Sequence, residues 1–342
     1  MSTRIKAAVV VAAGVALTAT VVISQMPAAA AADAHAAHAM TAEQHLAHLS
    51  AAGDIHAGHA LDEIAWAAMA RQAAPAVANL PADDMGAVDR LAKSPRKGEF
   101  VTINVGGTPM RTFVVRPAGT APAPVVIVIQ EVFGLSDWIR GVADQLAADG
   151  FIAVAPDLLA GKGASGGDSA SFATEKERMQ PTLALTTDEV VARLKAAREW
   201  GLKQPRANGK SATVGFCFGG QQSFRMAMEE PSLNAAVVYY GDAPAVAGAG
   251  RGAPFVPSDS MKNIKAPVLG LYGGLKEDAR IGNTIEPTRA KMKELGKTYE
   301  VHIFEGAQHG FLRAQSAASG ANMKATQEAW PLTVAWIKKY AS

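Results

Sequence analysis

The chain has 342 residues, 49% of them hydrophobic and 19% charged, with 33 Lys and Arg against 31 Asp and Glu, a formal net charge of +2 and a single cysteine. That balance speaks against nucleic acid as a partner, and one thiol rules out an internal disulfide framework. What the composition allows is a large packed core, best divided as one domain of about 250 residues plus an extension.

In chain order, "MSTRIK" sets Arg4 and Lys6 ahead of the apolar run "AAVVVAAGVALTATVVIS" and the small-residue tract "PAAAAADA". A basic start, apolar middle and alanine-rich end predict a signal peptide over residues 1–32, cleaved near Ala30 to Ala32, and hence a periplasmic or secreted protein. The competing reading is an uncleaved anchor, since the run approaches a bilayer span. Cleavage removes two of the 33 basic residues and no acidic one, leaving 31 of each sign. No later segment is apolar for long enough to span a bilayer, so no membrane partner is expected after signal removal.

Residues 33–93 form an Ala- and His-rich extension, helical or disordered. It carries the pairs His35/His38, His45/His48 and His56/His59, each H-x-x-H. On a helix, residues three apart share a face, so each pair offers two imidazoles to a cation such as Zn or Cu. Two ligands make a weak site, and the plainer reading is a solvated leader in which histidine is tolerated. The change of pattern at "LAKSPRKGEF" places the folded domain at residues 94–342.

Within that domain, "EFVTINVGG" and "MRTFVVRPA" predict an antiparallel hairpin across a Gly-Gly-Thr turn. "APVVIVIQE" is an apolar run of buried parallel-strand type, followed by the helical "DWIRGVADQLAADG" and the strand "FIAVAPDL". Helix "TTDEVVARLKAAREWGLKQ", strand "SATVGF", helix "GQQSFRMAMEE" and strands "LNAAVVYYG" and "APVLGLYGG" come next. Helix "PTRAKMKELG", strand "TYEVHIFEG" and helix "KATQEAWPLTVAWIKKY" complete the chain. Strands alternating with long helices predict an α/β fold, a mostly parallel sheet covered on both faces, with active residues at the carboxyl ends of its strands.

Cys217 meets that rule. It follows "SATVGF", precedes a helix, and lies in "GFCFG", a G-x-C-x-G turn between Gly215 and Gly219. The turn is so sharp that side chains at the glycines would clash, and it aims the Phe218 N–H at a reacting carbonyl. The helix N-terminus favours a thiolate. A lone cysteine is often only a buried structural residue, but the flanking glycines at a strand-to-helix junction point to a nucleophile. A thiol needs a base, and the base an orienting acid. Of the two histidines downstream, His302 alternates within a strand, whereas His309 follows a strand end in "GAQHGF". His309 is therefore the base. The acid should follow "VLGLYGG", where Asp278 is the choice and Glu277 the alternative.

These residues, with "VVIVIQEVFGL", "GFIAVAPDLLA", "NGKSATVGFCFGG", the "YGG" strand end and "GAQHGFLR" in that order, resemble the dienelactone hydrolases of the α/β-hydrolase superfamily from about Glu99 to Tyr340. The resemblance implies an α/β-hydrolase fold and cleavage of a small ester or lactone through a thioester on Cys217, with no metal or organic cofactor. It implies that Glu131 contacts the resting cysteine and masks it until substrate arrives, that Val132 and Phe218 N–H groups form the oxyanion hole, and that Arg313 holds a substrate carboxylate. Arg178 is the candidate for a second substrate-binding arginine. Two departures bear on the pocket. "GGLKED" sets Asp278 two residues later than the family's acid, and "APAVAGAGRGAPFVPSDSMKNIKA" is a long connection over the site. The rival reading is an exported metal-binding protein whose H-x-x-H leader acts on a non-catalytic hydrolase scaffold; the Cys, Asp and His set argues against it.

Overall fold

The computed structural model describes residues 79–246 and 255–342. The expected signal peptide and all three H-x-x-H pairs lie outside the described residues. The elements in chain order are α1 (Ala87–Lys93), β1 (Glu99–Val105), β2 (Thr108–Val115), β3 (Ala123–Ile129), α2 (Asp137–Ala148), β4 (Ile152–Pro156), α3 (Glu175–Leu183) and α4 (Thr187–Leu202). They continue with β5 (Ala207–Phe216), α5 (Phe218–Glu229), β6 (Ala235–Tyr239), β7 (Val268–Gly273), α6 (Ala279–Glu294), β8 (Tyr299–Phe304) and α7 (Ala321–Ala341).

The eight strands form one sheet in the order β1-β2-β4-β3-β5-β6-β7-β8. β2 pairs antiparallel with β1 and β4, and every later pairing is parallel. The unbroken apolar runs become the inner strands: β3, β4, β6 and β7 are buried along their whole length. β1 and β8, at the two edges, keep exposed positions. That contrast is the expected result of covering a parallel sheet on both faces.

Helix starts follow their capping residues. Ser136 Oγ accepts the Ile139 N–H ahead of α2, and Thr186 and Glu189 form a reciprocal capping box ahead of α4. α6 departs from expectation: it begins eight residues before Pro287, where the sequence pattern places its start, and Pro287 sits inside the helix. Thr284 and Thr288 donate their hydroxyls to the Ile281 and Thr284 carbonyls beside it. α3 was not predicted at all.

Residues 79–93, placed in the extension on composition, pack onto the domain. Leu80 and Ala87 are buried, the Trp138 indole N–H donates to the Ala82 carbonyl, and Gln315 Nε2 donates to the Pro81 carbonyl. Asp144, buried on α2, accepts from Ser94, Arg90 and Arg96. Burial raises the Asp144 carboxyl, but its hydrogen bonds from Arg96, Ser94 and Arg90 bring it below the usual range. Composition cannot report such contacts, because their partners lie 48 to 234 residues away along the chain.

Candidate active site

Strand register assembles the site. Ile129 pairs with Gly215 and Phe216 with Tyr239, so β3, β5 and β6 end level and deliver Glu131, Cys217 and Tyr240 side by side. Gly273 pairs with Phe304, which sends the loops carrying Asp278 and His309 off the same edge. This is the carboxyl edge of the parallel strands, where such sheets place their reactive groups.

Cys217 sits at φ 52°, ψ −114° between β5 and α5, a conformation few non-glycine residues adopt. Its N–H donates to the Tyr239 carbonyl, and its own carbonyl accepts the Gln221 N–H, the first bond of α5. The glycines have the steric role the motif requires. A Cβ on Gly215 would lie 1.9 Å from the Gly219 carbonyl oxygen, and one on Gly219 would lie 2.3 Å from the Ile129 carbonyl oxygen. Phe218 is the first residue of α5, so its N–H is among the helix's four without an intrahelical acceptor. Val132 is buried directly after Glu131.

Cys217 lies close enough to His309 to act on the charge of its imidazole. On the other side of the imidazole, His309 Nδ1 lies 2.8 Å from Asp278 Oδ2. All three side chains are buried. Burial disfavours the charged imidazole, yet the Asp278 carboxylate, followed by Cys217, lifts His309 well above the ordinary histidine value. For Asp278, burial works upward and the charge and hydrogen bond of His309 pull it below the usual carboxylate range. Asp278 pairs with His309, whereas Glu277 turns back so that its Oε2 lies 2.0 Å from where a Gly274 Cβ would stand. His302 bonds Glu300 at 2.8 Å, away from this line of groups. Among the described residues no cluster of three or more His, Cys, Asp or Glu is arranged to hold a metal ion.

The resemblance placed two arginines and Glu131 in the pocket, and the geometry around them is more crowded than expected. Arg313 Nη1 donates to Glu131 Oε2 at 2.9 Å, and Nη2 lies 2.6 Å from Glu175 Oε2 and 2.9 Å from Asp84 Oδ1. The Arg313 guanidinium stacks 4.4 Å from the Phe133 ring centroid, and the residue is 1% exposed. Arg178 donates to the Phe133 carbonyl at 3.3 Å and, with Glu175, lines a polar cleft of about 430 Å³. Neither Asp84 nor Glu175 was singled out from the sequence. A weak signal existed for Glu175: Thr174 stands three residues before Glu177 and caps α3 by accepting the Glu177 N–H. Asp84 has no local signal.

A mostly parallel eight-stranded sheet in this order, with a strained strand-to-helix elbow between β5 and α5, defines an α/β-hydrolase. The model of the dienelactone hydrolase family matches residues 110–341, and the chain belongs to that family of hydrolases. A relative from Escherichia coli O157:H7, named "Putative carboxymethylenebutenolidase", is 30% identical over 246 residues, 70% of this chain and 86% of its own. "Protein usf" of Aquifex pyrophilus is 30% identical over 249 residues, 71% of this chain and 99% of its own. Among solved structures, the "Putative Dienelactone Hydrolase" of Klebsiella pneumoniae subsp. pneumoniae MGH 78578 is 27% identical, with a TM-score of 0.60 over 71% of this chain and 98% of that one.

Proposed function

We propose that the protein hydrolyses a small carboxylic ester or lactone through a thioester on Cys217, with His309 transferring protons and Asp278 orienting it. One observation carries this reading: Cys217, His309 and Asp278 form a buried series at the carboxyl edge of the sheet, with His309 bonded to Asp278 at 2.8 Å and Cys217 acting on the same imidazole.

The chemistry follows from that series. Asp278 accepts from His309 Nδ1–H, which leaves Nε2 to take the Cys217 proton. Cys217 Sγ then attacks the carbonyl carbon, and the oxygen that becomes negative is met by the N–H of Val132, beyond the end of β3, and by that of Phe218, at the start of α5. As the C–O bond breaks, His309 returns its proton to the departing alkoxide, which in a lactone stays attached to the acyl chain. Water, deprotonated by His309, cleaves the thioester, releasing the carboxylic acid and restoring the thiol. Glu131, held by Arg313 and next to Val132, is assigned the masking role that the family resemblance implies for the resting thiol.

The test is hydrolysis of p-nitrophenyl acetate and a panel of lactones by the wild-type chain and by Cys217→Ala and Cys217→Ser, with mass spectrometry of acid-quenched enzyme. Turnover by the wild type, an acyl group on Cys217 and a loss of at least about a thousandfold in Cys217→Ala are expected, since the binding pocket and oxyanion hole alone retain only residual catalysis. Unchanged activity in Cys217→Ala, or no turnover of any substrate by the wild type, overturns the mechanism.

A further inference from the structure

The environment of Arg313 goes beyond the reaction class and bears on the substrate. A guanidinium near a reacting centre is an obvious grip for a negatively charged substrate, but its donors must be available. Here Nη1 is taken by Glu131 and Nη2 by both Glu175 and Asp84, at 2.6 to 2.9 Å. The face of the group is covered by Phe133, and the residue is almost wholly buried. Three carboxylates therefore surround one guanidinium, and the next positive group, Arg178, bonds the Phe133 carbonyl and not these carboxylates.

Asp84 comes from the segment that precedes the sheet, and it is held in place from several sides. Its N–H donates to the Arg313 carbonyl at 3.0 Å, while Pro81 and Ala82 accept from Gln315 and Trp138. Arg90 and Arg96 tie the following residues to Asp144. The crowding registers on Asp84 itself. Burial raises its carboxyl, Arg313 lowers it, and Glu175 and Asp83 raise it again, leaving it above its usual range.

We propose that Asp84 and Glu175 occupy the anion-binding face of Arg313 and restrict the enzyme to uncharged esters and lactones. This proposal rests on the hydrolase reading and names its substrate class. An acyl group carrying a carboxylate has to displace one of the chain's own carboxylates from Arg313 or lie beside two that Arg313 cannot neutralise; an uncharged acyl group meets neither obstacle.

The matched probes are p-nitrophenyl butyrate and mono-p-nitrophenyl succinate, of similar length and differing in a terminal carboxylate. The wild type is expected to favour the butyrate at least tenfold in kcat/KM. Asp84→Asn and Glu175→Gln, which keep shape and remove one charge, should each narrow that preference at least fivefold, mainly through KM for the succinyl ester. Asp84→Glu should return the ratio toward the wild-type value, a rescue that a merely structural role for Asp84 would not tie to substrate charge. Ratios within twofold of wild type in both neutralised variants, or a wild type that favours the succinyl ester, overturn the proposal while leaving the hydrolase reading intact. Cleavage of neither ester by the wild type overturns both.

Discussion

At the scale of single residues, the site is governed by a buried charge pair. His309 and Asp278 each perturb the other against the effect of burial, one upward and one downward. A histidine raised in the folded state contributes stability that is complete below its ordinary value of about 6.5 and is lost as pH rises through its raised value. A lowered carboxylate contributes stability present above about 3.9 and lost as pH falls through its lowered value. The pair therefore supports the fold most strongly in the window between. Asp278→Asn should bring the His309 titration, followed by imidazole NMR, down from above 6.5, and should reduce thermal stability more at pH 6 than at alkaline pH. A His309 titration that does not move contradicts the assignment of Asp278 as its charge partner. Residue types and motif spacing single out Cys217 and His309 as candidates. They left Asp278 and Glu277 open, because both follow the strand end and only the turn's path decides which carboxylate meets the imidazole.

At the scale of elements, the elbow between β5 and α5 is the part on which the rest of the site depends. Its glycines are defined by backbone atoms of other elements, the Ile129 carbonyl of β3 above all, and backbone cannot swing aside as a side chain can. Gly219→Ala should cost about 3 kcal/mol in denaturant unfolding. Because Phe218 adjoins the displaced turn, it should also lower kcat about a hundredfold, the scale of one lost oxyanion donor. Full stability in the variant would show that the elbow relaxes at no expense. The strands and most helices were legible locally, since buried runs and capping residues carry their own periodicity. α6 was legible only in its second half, because Pro287 looks like a first-turn proline until the packing of Ile281 and Ile285 shows that the helix has already begun. α3 was missed because its nine residues, EKERMQPTL, are mostly polar and contain Pro181.

At the scale of the whole molecule, residues 79–96 act as part of the domain and not as a detachable leader. They bury Leu80 and Ala87, neutralise Asp144 and bring Asp84 to Arg313. A chain beginning at Lys97 should be less stable than one beginning at Asn79 by about 3 kcal/mol, because Asp144 is left buried without Arg90 and Arg96. Since the Asp144 carboxyl is held low, this difference should be present above about pH 4 and shrink as pH falls through the lowered value; equal denaturation midpoints at neutral pH would refute it.

The amino-acid sequence by itself determined the alternation of strands and helices and the strand-to-helix turn at Cys217, because each is written in local periodicity and in the sterics of a few adjacent residues. Only the tertiary structure decided that Asp278 faces His309, that Pro287 lies within α6, and that Asp84 and Glu175 surround Arg313. Asp84 and Arg313 are far apart along the chain, and no local pattern encodes which distant charges a folded sheet brings to one buried point.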